Sequence, residues 1–239
     1  MFLHEIARDE LLSRREDVNR VFTDVAVVTP FPDVWANVGA TVIAPNDVLD
    51  VQPEKFDLVF HALCLHQFDD PLGQIIQSKR ALKPDGVFLA TMFGGETLVT
   101  LRDTLTRAEL SVTEGASPRV NPMIEIRDAG ALLQRAGLAL PVSDLDPKTV
   151  SYANLTVLMH DLRDMGETST LVHRPKTFTR KAIFDKAAEM YPKEDGRIIA
   201  EFDMIHLNGW APHDSQPKPL RPGSAKVSLL DALKPPSDD

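Results

Sequence analysis

At 239 residues and 43% hydrophobic, the chain holds enough apolar material for one substantial core, or one core with a lid. A net charge of −9 and a pI near 5.3 argue against non-specific nucleic-acid binding, which needs a basic footprint, and leave a basic protein partner open. The lone Cys64 excludes an internal disulfide framework. The opening MFLHEIARDELLSRRED is too charged for a signal peptide and no apolar run reaches transmembrane length, so the expectation is a cytoplasmic protein without membrane insertion.

Residues 2–20 predict a helix with an imperfect apolar face of Phe2, Leu3, Ile6, Leu11 and Leu12. Arg14, Arg15 and Arg20 read either as substrate or phosphate ligands or as an ordinary solvated helix face. Asp24 to Thr29 predicts a first core strand, followed by the turn Thr29-Pro30-Phe31-Pro32-Asp33, where two prolines fix φ and remove two N–H donors. Ala40 to Ala44 predicts a second strand. Asp47-Val48-Leu49-Asp50 then reads as a turn or cap, or as an acidic group facing a ligand.

The stretch from Phe56 to Gly95 has the clearest boundaries. Phe56 to Phe60 is a short apolar run that fits a buried parallel strand. Asp69-Asp70-Pro71 opens a helix: a carboxylate can cap its free N–H groups, and proline is tolerated in the first turn. Leu72, Ile75, Ile76 and Leu82 form its apolar stripe, and Pro84-Asp85-Gly86 turns the chain into a second strand, Val87 to Phe93. This is a βαβ unit with parallel strands.

Between its first strand and its helix lies His61-Ala62-Leu63-Cys64-Leu65-His66. Two histidines and a cysteine invite a metal reading, but a structural zinc site needs four ligands and there is no second cysteine, so no metal is expected. His61 and Ala62 lie instead at the C-terminal end of a strand, where open α/β sheets bind ligands. His66 is either a functional or a satisfied structural histidine.

Gly94-Gly95-Glu96 predicts the start of a helix to about Leu110, with Glu96 either at the mouth of a site or merely complementing the helix N-terminus. A polar loop, Thr113 to Pro122, precedes a helix from Glu125 to Ala136 stopped by Gly137, and a strand from Leu138 to Leu145 breaking at Asp146-Pro147. Residues 152–192 predict two helices, Asn154 to Met165 and Thr179 to Met190, the second with a capped entry at Thr177-Phe178-Thr179. Ile198 to Trp210 is the last strand, expected as an antiparallel hairpin edge. The proline-rich 211–239 segment reads as an arm.

Six segments carry a family resemblance that spans Phe2 to Leu230. FDLVF with LHQFDDP and LKPDG resembles the fourth and fifth strands of class I S-adenosylmethionine-dependent methyltransferases. MFGGETLVTLRDTL, SPRVNP and DAGALLQRAG are similar to the branch shared by biotin-pathway methyltransferases and a mitochondrial complex I assembly factor that modifies an arginine. The resemblance implies a Rossmann-like α/β domain over 1–239: a mostly parallel sheet with its last strand antiparallel, and a helical cap at 152–192. It implies S-adenosylmethionine as cofactor, contacted by Thr29, Asp47, Val48, His61 and Ala62. It places the substrate, a protein or a small acid, near His66, Gly94, Gly95 and Glu96. Relatives carry a further basic segment before the equivalent of Phe2, so a truncated start is implied. The sequence leaves the oligomeric state open; an exposed sheet edge or the C-terminal arm could support a homodimer.

This chain departs from the family where the cofactor is held. In place of a D-x-G-x-G-x-G turn it has Thr29 to Asp33 with no glycine before Gly39, and Ala44-Pro45 stands where a carboxylate pairs with the ribose hydroxyls. The alternative to a working methyltransferase is therefore a methyltransferase-fold scaffold or assembly protein that has lost the cofactor.

Overall fold

A computed structural model describes residues 1–217. Its centre is a pair of parallel strands buried on both faces: β3 (Phe56–Ala62) at all seven positions, and β4 (Leu82–Gly94) continuously from Gly86. Runs of this kind require cover on both sides. On one side, α2 (Pro71–Ala81) and α4 (Ile126–Arg135) pack Ile75, Ala129 and Leu133 against Val59, Phe88 and Leu207. On the other, Leu11 of α1 (Phe2–Asp17) joins Trp35, Leu58, Phe60 and Leu89. A third cluster gathers α1, α3 (Val99–Thr113), α5 (Leu155–Asp164) and α6 (Lys181–Met190) around Phe93 and Phe202.

With β1 (Val25–Val28), β2 (Thr41–Ile43), β5 (Ala139–Tyr152), β6 (Lys193–Glu194) and β7 (Arg197–Trp210), the sheet has seven strands in the order β2-β1-β3-β4-β7-β5, and β6 pairs with β7. Strands β2, β1, β3 and β4 are mutually parallel, while β7 is antiparallel to β4, β5 and β6. Only β7 therefore runs against the rest, the mostly parallel sheet that was expected.

Four expectations need correction. The last strand is not an edge: β7 is wedged between β4 and β5. Strand β5 does not break at Asp146-Pro147 but continues to Tyr152, because as the edge strand it offers Pro147 a place where no N–H is needed. Helix α3 begins at Val99 rather than at the glycine pair. Gly94 and Gly95 belong to the turn out of β4, where a Cβ on Gly94 would strike Ile205 and one on Gly95, at φ +53°, the Asp203 carboxylate. The entry to α6 also differs: Arg180 precedes it without a side-chain cap, and Phe178 is fully exposed. Of the C-terminal arm, Ala211 packs back, its N–H donating to the Gly86 carbonyl at 2.8 Å. The remainder, 218–239, lies outside the described residues.

The βαβ unit is fastened at both ends. Asp70 accepts the Gly73 N–H at 2.8 Å and caps α2. At the base of β3, the buried Asp57 accepts from the Thr23 N–H (3.0 Å), the Thr23 hydroxyl (2.8 Å), the Asp24 N–H (2.9 Å) and Lys83 Nζ (3.0 Å). Burial alone would raise its pKa, but these four donors outweigh burial and hold the carboxyl well below its ordinary 3.8. A depressed folded-state pKa stabilises the fold fully above the unfolded value and loses that contribution as pH falls through the folded one. Asp57→Asn is expected to cost about 1.5–3 kcal/mol. Chemical denaturation of the two proteins at pH 7 and at progressively more acid pH should show this gap narrowing only below the ordinary aspartate range; an equal gap throughout would remove the role given to Asp57.

Candidate functional site

Because the parallel strands end on the same side of the sheet, the segments after β1, β2, β3 and β4 converge on one edge. Leu63, at φ +50°, turns the chain out of β3 into a single 3-10 turn, Leu65–Gln67. That turn presents His66 to the end of β4. Its Nδ1 accepts the Phe93 N–H at 3.3 Å, which leaves the ring proton on Nε2. Nε2 donates to Glu167, 3.1 Å from either carboxylate oxygen, and Gln67 Nε2 donates to the same carboxylate at 3.0 Å. The side chains of His66 and Glu167 are only 5% and 11% exposed.

Glu167 comes from the loop after α5, where Gly166 at φ +77° closes a Schellman motif. The Gly166 N–H donates to the Arg163 carbonyl at 3.0 Å and the Glu167 N–H to the Leu162 carbonyl at 2.8 Å. Sequence reading passed over Glu167. One signal was available: an acid just beyond a helix C-terminus sits at the unfavourable end of the helix dipole, so something else must hold it there.

The turn after β1 closes on itself. The buried Thr29 donates its N–H to the Ile43 carbonyl at 3.2 Å, and its hydroxyl accepts the Phe31 N–H at 3.2 Å. Pro30 and Pro32 have no N–H to offer. Phe31 packs on the His4 ring with centroids 4.3 Å apart, and a Cβ placed on Gly166 would lie 3.7 Å from its Cζ. His4 Nε2 also lies 3.1 Å from the Met165 carbonyl. The phenyl ring thus fills the space between α1, the β1 turn and the loop after α5.

After β2, Asp47 and Val48 are exposed, and the Asp47 carbonyl accepts from Gln74 (3.1 Å) and Gln77 (2.9 Å). Asp47 borders a cavity of about 280 Å³ together with Pro45, Cys64, Gln67, Phe68 and Thr170. Val48 and Thr29 do not line it, and neither does His61, which is fully buried beside Phe68. Burial pulls the His61 pKa down to about 4, only partly offset by Gln74, and its Nδ1 lies 3.5 Å from Cys64 Sγ. Burial also pushes the Cys64 thiol up, with the Glu167 charge adding to it. A raised thiol beside a poorly basic imidazole is the reverse of an activated nucleophile. Ala62 is buried between β1 and β4. Glu96 is exposed, its N–H donating to Asp203 at 2.8 Å. Among the described residues there is no group of three His, Cys, Asp or Glu able to hold a metal ion, and no helix is long and apolar enough to cross a membrane.

S-adenosylmethionine can be tested against this geometry. A cradle for it needs free backbone donors after β1 and an acceptor for the ribose after β2, in a pocket of roughly 300–1,000 Å³. Here the Thr29 N–H is spent on Ile43 of β2 and the Phe31 N–H on the Thr29 hydroxyl, Pro30 and Pro32 have none, and Ala44-Pro45 supplies no carboxylate. The chain thus lacks the glycine turn and the ribose carboxylate that the family resemblance implies.

The family described as methyltransferase domain matches residues 29–90. The arginine-hydroxylase NDUFAF5, mitochondrial, of Danio rerio is 40% identical over 196 residues, which are 81% of this chain and 61% of that protein. Its counterpart in Mus musculus is 38% identical over 92% of this chain and 66% of its own length. A malonyl-[acyl-carrier protein] O-methyltransferase of Xylella fastidiosa is 30% identical over 74% of this chain and 59% of its own. A crystal structure from Bacillus halodurans assigned to the methyltransferases superposes with a TM-score of 0.53 at 15% identity, covering 85% of this chain and 99% of that one, a likeness of fold. The chain is a class I methyltransferase-like protein. Within that class it belongs to the branch of the NDUFAF5 and malonyl-[acyl-carrier protein] O-methyltransferase proteins. It spans less than two thirds of the length of these relatives. Membership links it to S-adenosylmethionine in general.

The relatives also overturn the cytoplasmic expectation, since the NDUFAF5 proteins of fish, mouse and human are named mitochondrial. One cysteine excludes an internal disulfide and names no compartment.

The Cys64 environment gives a direct measurement. In the native protein at neutral pH, iodoacetamide is expected to leave Cys64 unmodified over hours, with rapid labelling only after denaturation, read by intact mass. Rapid native labelling would mean an exposed, activated thiol.

Proposed function

We propose that this chain acts on a polypeptide as an arginine-directed member of its branch and serves the assembly of a respiratory complex. The names of its NDUFAF5 relatives support the arginine reading. One structural observation carries it: Glu167, clamped by His66 and Gln67 at the C-terminal edge of the sheet, presents a fixed negative charge beside the substrate side of the fold. A small carboxylic acid would be repelled there, while a cationic side chain is attracted. In this reading α5 and α6 are the cap over the substrate, and His66 positions the carboxylate. In cells lacking the chain, peptide mass spectrometry of the respiratory-complex subunits is expected to show the loss of a modification at an arginine. Unchanged arginine modification throughout those subunits would refute the proposal.

A second reading is favoured by one specific observation, the Phe31 ring packed against His4 where the family holds its cofactor. Under it the chain is a methyltransferase-fold scaffold that binds its polypeptide partner without S-adenosylmethionine. Isothermal titration of the wild type with S-adenosylmethionine is then expected to give no saturable heat at millimolar ligand, and the P30G/F31G/P32G variant a measurable affinity. Micromolar binding by the wild type would eliminate this second reading.

A further inference from the structure

A second cavity, of about 250 Å³, lies between α3, the 119–123 segment, α5 and α6, next to the cavity beside Asp47 across the 167–170 segment. Its walls are aliphatic and aromatic: Leu101, Leu105, Met123, Met159 and Phe184 among them. Glu167 lines the same cavity. Among the described residues its carboxylate receives His66 and Gln67 alone and has acceptor capacity left over, since two oxygens offer about four lone-pair sites. Among the described residues no lysine or arginine forms an ion pair with it. A mostly buried anion beside an apolar chamber calls for a cation.

Two arginines also border the space. Arg119 is already committed, at 2.6 Å and 3.1 Å to Glu109 and at 2.8 Å to Thr179. Arg163 is exposed. The chamber falls below the roughly 300 Å³ at which sites for whole drug-sized ligands begin, a size suited to a single long side chain.

We propose that this cavity is a side-chain subsite: an arginine of a polypeptide threads its alkyl stem between Leu105, Met159 and Phe184 and sets its guanidinium against Glu167. This rests on the polypeptide-substrate reading above and adds the residue that reads the cation. It requires no chemical step, so binding alone tests it.

The experiment is calorimetric titration of the full chain with the capped tripeptide acetyl-Gly-Arg-Gly-amide, and with the versions carrying citrulline or glutamate in place of arginine. Citrulline keeps the length and loses the charge. The arginine peptide is expected to bind, and the citrulline peptide to bind about tenfold to a hundredfold more weakly, the worth of a charged hydrogen bond. Glu167→Gln keeps an acceptor for His66 and Gln67, so it should fold and lose the arginine preference. Leu105→Trp should fill the chamber and weaken both peptides. Equal binding of arginine and citrulline, preference for glutamate, no binding of the arginine peptide, or an unaltered preference in Glu167→Gln would each overturn the subsite. Because no product is measured, loss of the cellular arginine modification can fail independently of this result.

Discussion

Strand β3 admits no water on either face, and most of the fold follows from that constraint. Seven consecutive buried residues need a neighbour on each edge and a layer above and below. The neighbours are β1 and β4; the layers are α2 with α4 and α1 with the Trp35 turn. A carboxylate at the second position of such a strand would be costly without partners. Asp57 has four donors, and through them β3 is anchored to the chain entering β1 and to the start of β4. The C-terminal end of the strand is therefore held in a fixed place, which is the condition for the loop after it to carry a site.

That loop delivers His66, and the tie from His66 to Glu167 joins two parts of the chain 101 residues apart. The arrangement is directional. Phe93 N–H fixes the imidazole from the β4 side, and the imidazole N–H fixes the carboxylate from below. The Schellman turn at Gly166 fixes it from above. A glutamate at a helix C-terminus works against the dipole, so its position is sustained by these donors and not by local preference. Its negative charge is felt nearby: it raises the Cys64 thiol and partly offsets the lowering of His4 by burial.

Local signals were legible in the sequence because their physics is local. The Asp70 cap, Pro71 in the first turn and the apolar run of β4 each depend on a few adjacent residues, and the βαβ unit follows from them. The stripe expected on α2 is fully buried only at Ile75, since Ile76 is exposed, Leu82 opens β4, and the helix buries Gln74, Ser78 and Ala81 instead. The motifs after Phe56 carried the family for the same reason. What remained hidden depends on partners distant in the chain. Pro147 reads as a break until β5 is known to be an edge. The glycine pair reads as a helix start until Ile205 and Asp203 of β7 are seen packed on it. Glu167 reads as one more surface charge until His66 is brought over it. Of the residues expected at the site, His66 forms part of a constellation and Asp47 borders a cavity. His61 and Ala62 are interior strand residues, and Thr29 is consumed by its own turn.

The two halves of the cleft have therefore diverged for separate physical reasons. On the β1 side the turn holds two prolines, which have no N–H to offer a ligand, and a phenyl ring packed on His4 and close to Gly166. Such a turn stabilises the empty protein, because a turn that satisfies itself needs no ligand to complete it. On the α5 side the opposite holds: a carboxylate with spare acceptor capacity faces an apolar chamber and stays incompletely compensated. Both Glu167 oxygens hold a donor, but a mostly buried charge without a counter-ion among the described residues is where a cationic partner would gain on binding. In the reading proposed above, recognition falls at the chamber bounded by α3, α5 and α6 rather than at the β1 turn.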